Sequence, residues 1–167
     1  MKAVVFDVET SGLSPQQGHR IIELGAVKVE QGRIVDEFCT LVNGGAAIDP
    51  RAQAVHGISS AMLRGQPRPE DVIPRFRDFI GRYPLVAHNA VFDARFLRAE
   101  FALQGFALPN AVECTLLLSR RKLRLPDHRL ETVYQYFFGE LPPDAQPHRA
   151  LDDARLAAQI WLKLKKV

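Results

Sequence analysis

The chain has 167 residues, 47% apolar and 25% charged, a composition typical of one globular domain that excludes a disordered tail. Its net charge of +3 is too small by itself to indicate a nucleic-acid partner. No apolar stretch approaches the ~20 residues of a membrane span, and Asp7 and Glu9 interrupt the N-terminal apolar run, which argues against a signal peptide. We therefore expect a single cytoplasmic domain over residues 1–167, with no membrane partner and with Cys39 and Cys114 as reduced, buried thiols.

Apolar runs that end in turn residues predict three strands in the first part of the chain. The first covers Ala3–Glu9 and ends at the turn cluster Thr10–Gly12. Two more are predicted at Arg20–Glu30 and Arg33–Val42, and Gln31-Gly32 between them is typical of a tight hairpin. These strands are therefore expected to run antiparallel to one another.

The remainder of the chain alternates predicted helices with short strands. Helical spacing of apolar residues predicts a helix over Pro69–Arg82, and Asn89 is placed to cap the next helix, Ala90–Gln104, with its side chain. The other predicted elements are strands Pro84–Ala87 and Ala111–Thr115 and helices Arg129–Phe138 and Ala150–Lys166. This order predicts an α/β fold with a mixed sheet flanked by helices, and ligands on such sheets bind beyond the strand ends.

Two carboxylates share one face near the end of the first strand. Asp7 and Glu9 lie two residues apart, on the opposite face from Val4, Phe6 and Val8. At about 4 Å and an effective dielectric constant of about 20, their repulsion is roughly 4 kcal/mol. A divalent cation with oxygen ligands would offset this repulsion. The alternative is a strand that simply runs out into solvent.

The last predicted helix carries an acid on its apolar side. The polar stripe consists of Asp152, Arg155, Gln159, Lys163 and Lys166. The apolar stripe consists of Asp153, Ala157, Ile160 and Leu164. A carboxylate among core residues needs a compensating partner, so Asp153 rather than Asp152 is the candidate functional acid. We expect His148, which follows Pro147, to precede the regular helix.

Three other polar features have ordinary structural explanations beside functional ones. Asp93 lies one turn into the Ala90–Gln104 helix, where it could simply complement the helix dipole. His88 is expected to be structural rather than a ligand. The basic run of Arg120, Arg121, Lys122 and Arg124 either follows phosphates or forms a solvated helix end.

Three motifs then appear in order along the chain. Val4–Leu13 reads VVFDVETSGL, His88–Leu97 reads HNAVFDARFL, and His148–Ala154 reads HRALDDA. They resemble D-x-E-T-x-G-L, H-N-x-x-F-D-x-x-F-L and H-x-A-x-x-D-A of the DnaQ-like, histidine-containing branch of the DEDD-type 3′–5′ exonucleases. Val55–Ile58 and His128–Glu131 resemble lesser signatures of that family. The resemblance covers nearly the whole chain.

The resemblance implies a ribonuclease H-like fold and a single exonuclease domain. It implies that four carboxylates organise two divalent cations, Mg²⁺ or Mn²⁺, and that His148 is the general base. Those acids are Asp7, Glu9, Asp93 and Asp153, with Asp7 bridging both ions, Glu9 and Asp153 holding one, and Asp93 supporting the other. The implied reaction releases 5′-mononucleotides from the 3′ end of single-stranded DNA. The family includes the proofreading epsilon subunit of bacterial DNA polymerase III, so a polymerase is a candidate partner.

The same resemblance implies a set of substrate contacts. Thr10, Gly12 and Leu13 would border the terminal nucleotide, with Leu13 wedged against the last base. His56 and Phe92 would line the base pocket by stacking, although ordinary packing explains these two residues nearly as well.

Two other functions stay open at the level of sequence. The first is the same hydrolysis on RNA, as in oligoribonuclease or RNase T, because motifs do not show a contact to the 2′-hydroxyl. The second is a non-catalytic module on the same fold that binds nucleic acid or tethers a polymerase.

Overall fold

Five strands form a mixed sheet in the computed structural model, which describes residues 1–167. They are β1 (Lys2–Thr10), β2 (Ile21–Glu30), β3 (Arg33–Leu41), β4 (Leu85–Ala87) and β5 (Val112–Cys114). The order across the sheet is β3-β2-β1-β4-β5. The first three strands pair antiparallel as a meander, whereas β4 and β5 continue the sheet parallel to β1.

Seven helices connect and cover the sheet. They are α1 (Pro50–His56), α2 (Ser60–Leu63), α3 (Pro69–Ile80), α4 (Ala90–Leu103), α5 (Thr115–Lys122), α6 (Leu130–Phe138) and α7 (Ala150–Leu164). A short 3₁₀ turn, Pro15–Gln17, precedes β2. None of these helices combines the length and the apolar character needed to cross a membrane.

The two faces of β1 supply two separate cores. Val4, Phe6 and Val8 pack into the larger core together with residues of α3 and α4. Ala3 and Val5 point to the other face and pack into a second core with residues of α7. Strand alternation therefore directs the next two residues on that second face, Asp7 and Glu9, toward the start of α7.

A glycine on β2 brings the first turn of α7 against the sheet. A Cβ atom added at Gly25 would lie 2.2 Å from the backbone nitrogen of Leu151 and 2.3 Å from the carbonyl carbon of Ala150. No side chain fits in that space, so helix and strand backbones are in direct contact there. Since Gly25 pairs with Asp7 in the β1–β2 register, this contact sets the distance between α7 and the acidic end of β1.

The structure confirms the predicted α/β mixed sheet. All nine predicted strands and helices are present, with ends within two residues of the predicted ones. Three helices were not predicted: α1, α2 and α5 have 7, 4 and 8 residues, too few for a clear amphipathic period. The predicted loop Asn43–Pro50 ends where α1 begins, and the Asp49 side chain caps that helix by accepting from the Arg51 amide at 2.8 Å.

Two local predictions are wrong. Asn89 precedes α4, but its backbone is left-handed (φ 68°) and its side chain makes no capping hydrogen bond, because a capping side chain requires an extended backbone. The cysteines are not buried: Cys39 is exposed and Cys114 is partly exposed. Both lie on the outermost strands of the sheet, β3 and β5, which are less covered than the central strands.

The contact at Gly25 predicts a large cost for adding a single methyl group. We expect Gly25→Ala to lower the free energy of unfolding by roughly 1–3 kcal/mol, because α7 must move away from β2. The matched control is Gly44→Ala, whose Cβ would meet only the Arg20 side chain at 3.4 Å and should change stability little. Urea unfolding of both variants measures the difference, and equal midpoints would contradict the proposed close contact.

Candidate active site

Three carboxylates converge at the end of β1. Asp7 and Glu9 from β1 and Asp153 from the first turn of α7 each place an oxygen within 4.8 Å of the others. Asp153 is only 7% exposed, which confirms that it lies on the buried side of its helix. Its neighbour Asp152 instead accepts hydrogen bonds from Arg155 at 2.9 Å and from the Gln146 amide at 3.0 Å.

A fourth carboxylate reaches the same strand from α4. Asp93 is buried, and its Oδ1 accepts a hydrogen bond from the amide of Val8 at 3.2 Å. Val8 is the residue between Asp7 and Glu9, so Asp93 is fixed against the backbone that separates them. The predicted acids therefore come together from β1, α4 and α7.

Burial and mutual repulsion make these acids hard to ionise. Burial is the main cause in each case, and neighbouring carboxylates add to it. They raise the pKa of Asp7 well above its usual value and the pKa of Glu9 to about 9. The pKa values of Asp93 and Asp153 are raised to about 7, although backbone hydrogen bonds oppose the shift in both. Such a cluster requires positive charge from another source to be fully ionised.

The donor atoms of this cluster fit a divalent cation. Oδ1 of Asp153 is buried and has no hydrogen-bond partner, which leaves a carboxylate oxygen free to coordinate. Clustered carboxylate oxygens are the ligands that hard divalent cations prefer. The site thus has the composition of a divalent-metal centre.

His148 lies beside the cluster, immediately before α7. It is exposed, and its own amide donates to Oδ2 of Asp153 at 3.2 Å. Its backbone is left-handed, with φ 61°, an uncommon conformation for a non-glycine residue. As expected, His148 precedes the regular helix rather than forming part of it.

The turn after β1 presents the predicted substrate contacts. The Thr10 hydroxyl donates to the carbonyl of Gly12 at 2.7 Å, and the His19 ring packs where a Cβ of Gly12 would stand. Leu13 is 73% exposed, and Arg95 of α4 holds its carbonyl oxygen at 2.7 Å. The turn is therefore tied down while the Leu13 side chain projects outward.

His56 and Phe92, the two predicted base-pocket residues, differ in burial and in contacts. His56 is buried, and its Nε2 donates to the carbonyl of Thr10 at 3.1 Å while Nδ1 accepts from the amide of Ile58 at 3.0 Å. Its polar atoms are thus used to support the Thr10 turn. Phe92 is half-buried and packs on Phe96 with ring centroids 5.1 Å apart.

His88 and Lys122 make structural contacts, in agreement with the structural explanations given for them. His88 bonds through Nδ1 to the Thr115 hydroxyl and through Nε2 to the His128 carbonyl, both at 2.9 Å. Arg120, Arg121 and Lys122 of the basic run lie in the last turn of α5, and Arg124 lies beyond its end. Within it, Lys122 donates to the carbonyls of Leu164 and Val167, so its charge stabilises the end of α7.

Sequence reasoning missed Glu23 and Arg149, which lie directly beside the acids. Glu23 is buried on β2 and forms a salt bridge of 2.7 Å with Arg149. One signal was available: Glu23 is the only charged residue in the run Ile21–Val27, and a lone charge in a buried strand requires a partner. The partner itself could not be identified from sequence spacing.

Residues 4–161 match the model of the RNase T family, described as "Exonuclease". The chain is 39% identical to the DNA polymerase III PolC-type of Caldanaerobacter subterraneus subsp. tengcongensis, over 96% of this chain and 11% of that protein. It is 40% identical to a DNA polymerase III subunit epsilon-like protein of Rhodobacter capsulatus, over 96% and 23%. The chain thus spans less than a quarter of the length of these relatives.

Two solved structures share the fold. Exonuclease X in complex with 5′-overhanging duplex DNA is 32% identical, with a TM-score of 0.80, and the match covers 98% of this chain and 91% of that one. E. coli exonuclease I in complex with a dA16 oligonucleotide has a TM-score of 0.81 at 17% identity, covering 99% and 41%. At this low identity, the similarity to exonuclease I supports the fold alone.

The raised pKa values predict how stability depends on pH without divalent ions. The unfolded chain releases these protons near pH 4, whereas the folded state holds them up to pH values of about 7 at Asp93 and Asp153 and about 9 at Glu9. Their contribution to stability is therefore complete below about pH 4 and is lost as pH rises through the folded values. In EDTA, we expect the melting temperature to fall between pH 5 and pH 9.

Two additions to this experiment test its cause. Glu9→Gln should flatten the part of the decline above about pH 7, because it removes a carboxyl whose pKa is raised to about 9. Saturating Mn²⁺ at pH 8 should restore several degrees, since a ligand at 100 times its Kd contributes about 2.7 kcal/mol. A melting temperature that does not change with pH, EDTA or Mn²⁺ would contradict the description of the acidic cluster.

Proposed function

The chain belongs to the RNase T family of exonucleases, and from that membership we propose that it is a metal-dependent 3′–5′ exonuclease acting on DNA. It would hydrolyse phosphodiester bonds at a 3′ end and release 5′-mononucleotides. The observation that carries the proposal is the convergence of Asp7, Glu9 and Asp153, with the unpartnered Oδ1 of Asp153 among them. A binding module has no need to gather buried acids at this energetic cost.

We assign two ions, Mg²⁺ or Mn²⁺, to this site. Asp7, Glu9 and Asp153 would hold one ion, and Asp7 with Asp93 would hold the second. Their four negative charges match the four positive charges of two divalent cations, which accounts for the burial of so many acids. When bound, such ions supply charge stabilisation to the attacking and leaving oxygens of a phosphodiester.

We assign the general base to His148. An unprotonated imidazole nitrogen can take a proton from the attacking water. The hydrogen bond from the His148 amide to Asp153 holds the backbone of His148 beside the acids, and the exposure of this residue leaves it open to substrate. Asp153 would then serve twice, as a ligand through Oδ1 and as an anchor for His148 through Oδ2.

We propose that the turn after β1 binds the last nucleotide. Thr10 and Gly12 would border it, and the exposed Leu13 would wedge against its base. Phe92 would line the base pocket, and His56 would act mainly by holding Thr10 in place. DNA is favoured as substrate because exonuclease X, a relative at 32% identity, is seen with DNA. Residues 1–167 would form one exonuclease domain of this kind.

The names of the same relatives suggest a partner, and the cysteines bear on the cellular location. PolC-type and epsilon-like proteins are named for DNA polymerase III, so we propose a polymerase as partner. A cytoplasmic location agrees with the two free cysteines, since free thiols persist in reducing compartments.

The two adjacent aspartates of α7 should differ sharply in their effect on activity. We expect Asp153→Asn to lower kcat by at least 1000-fold, because it removes a metal-binding charge at the centre of the site. Asp152→Asn should keep most of the activity, since that side chain bonds to Arg155 and Gln146 outside the acidic cluster. Single-turnover rates on one oligonucleotide provide the comparison. The reverse order of effects would overturn the assignment of Asp153.

The test of the proposed function uses one oligonucleotide sequence made once as DNA and once as RNA, labelled at the 5′ end. With Mn²⁺, we expect a ladder that shortens from the 3′ end, faster on DNA, and that disappears in EDTA and in Asp7→Asn. A faster RNA ladder would replace DNA by RNA in the proposal. Binding without any ladder would favour a tethering module instead.

A further inference from the structure

Glu23 is a further carboxylate at the site, and its surroundings differ from those of Asp7, Glu9, Asp93 and Asp153. It is 1% exposed and pairs directly with Glu9 across the β1–β2 ladder. Arg149 donates to it through Nη2 at 2.7 Å and through Nε at 3.1 Å and 3.2 Å. The amide of Ala150 adds a bond of 3.1 Å to Oε2. Both oxygens of this carboxylate are therefore occupied by donors.

We propose that Glu23 is a positioning residue for His148, a role that rests on the proposed function. Glu23 binds the two residues that directly follow His148, one through its side chain and one through its backbone. It thereby fastens the turn that carries His148 to β2, the strand next to the acids. Arg149 is its partner in this role.

The turn needs an external anchor because its own conformation is unfavourable. His148 has φ 61°, and a non-glycine residue stays in that region only where the surroundings hold it there. The residue at the start of α7, Arg149, makes no capping hydrogen bond with its side chain. Glu23 supplies what is missing, since it accepts from the first amide of the helix and places a negative charge at its N-terminus.

The same face of β2 fixes the turn at a second point. Gly25 lies two residues beyond Glu23, where its missing side chain admits the backbone of Ala150 and Leu151. The hydrogen bonds of Glu23 hold the start of α7 against the sheet, and the backbone contact at Gly25 sets the distance between helix and strand. Together they determine where His148 and Asp153 stand relative to β1.

The contacts of Glu23 distinguish it from a metal ligand. The three acids whose oxygens gather within 4.8 Å do not include it. Its charge is neutralised by Arg149, so the pair adds no net negative charge to the cluster. Glu23 raises the pKa of Glu9, and the charge of Arg149 acts in the opposite sense and lowers it.

The experiment measures whether Glu23 acts through His148. Glu23→Gln keeps the size of the side chain but removes the charge that holds Arg149. We expect kcat on the DNA oligonucleotide to fall about tenfold or more with KM within about twofold, because small displacements of catalytic groups are costly. In a His148→Ala background, the same substitution should cost less than twofold, since residues that act as a unit are not additive.

Controls separate this role from general stability and from metal binding. Glu113→Gln removes a carboxylate that accepts from Trp161 and Lys165 at the other end of α7, and it should leave kcat unchanged. The loss of kcat in Glu23→Gln should persist at saturating Mn²⁺, because the substitution displaces His148 and removes no metal ligand. Equal losses of kcat in both backgrounds, or a raised Mn²⁺ requirement alone, would overturn the proposal.

Hydrogen exchange gives a readout that does not depend on activity. The amide of Ala150 should exchange at least tenfold faster in Glu23→Gln than in wild type, while the amides of β1 stay protected. Unchanged exchange at Ala150 would overturn the positioning role. If Ala150 exchanges faster in Glu23→Gln but the wild-type protein has no exonuclease activity, the proposed function is overturned and the anchoring role of Glu23 stands. Should Glu23→Gln not fold, Arg149→Lys, which keeps the charge and loses the fork, takes its place in every measurement.

Discussion

Repulsion among clustered carboxylates is the constraint on which the rest of this structure depends. Asp7, Glu9, Asp93 and Asp153 surround the end of β1, and their raised pKa values reflect the cost. The protein lowers this cost with backbone donors, the amide of Val8 for Asp93 and the amide of His148 for Asp153. The remaining negative charge is what gives the site its affinity for cations, so the instability and the proposed chemistry have one origin.

The neighbouring strand, β2, positions the start of α7 relative to the acids on β1. Glu23 and Gly25 lie on one face of β2 and meet the start of α7 through an ion pair and a backbone contact. The acids on β1 and the acid on α7 belong to different elements, and β2 packs extensively against both of them. Precision at the site thus comes from a strand that donates no side chain to the cluster itself.

Short-range regularities made part of this site predictable. Strand alternation placed Asp7 and Glu9 on one face, and helix periodicity separated Asp153 from Asp152; both outcomes depend only on residues a few positions apart. The pairing of Glu23 with Arg149 spans 126 residues, and no local pattern contains that information. The left-handed backbone of Asn89 was missed for a related reason, because the path from β4 into α4 is set by tertiary packing and overrides local preference.

The acidic cluster needs side chains from both β1 and α7, and this requirement determines when during synthesis the site can form. All the other strands and helices lie between β1 and α7 in the sequence, so Asp153 cannot reach Asp7 until the elements between them have left the ribosome. Until then Glu23 on β2 has no Arg149 to bind, and the acidic end of β1 has no helix beside it. The acidic cluster therefore assembles only after α7 has been synthesised, and long-range closure of this kind makes late folding steps slow.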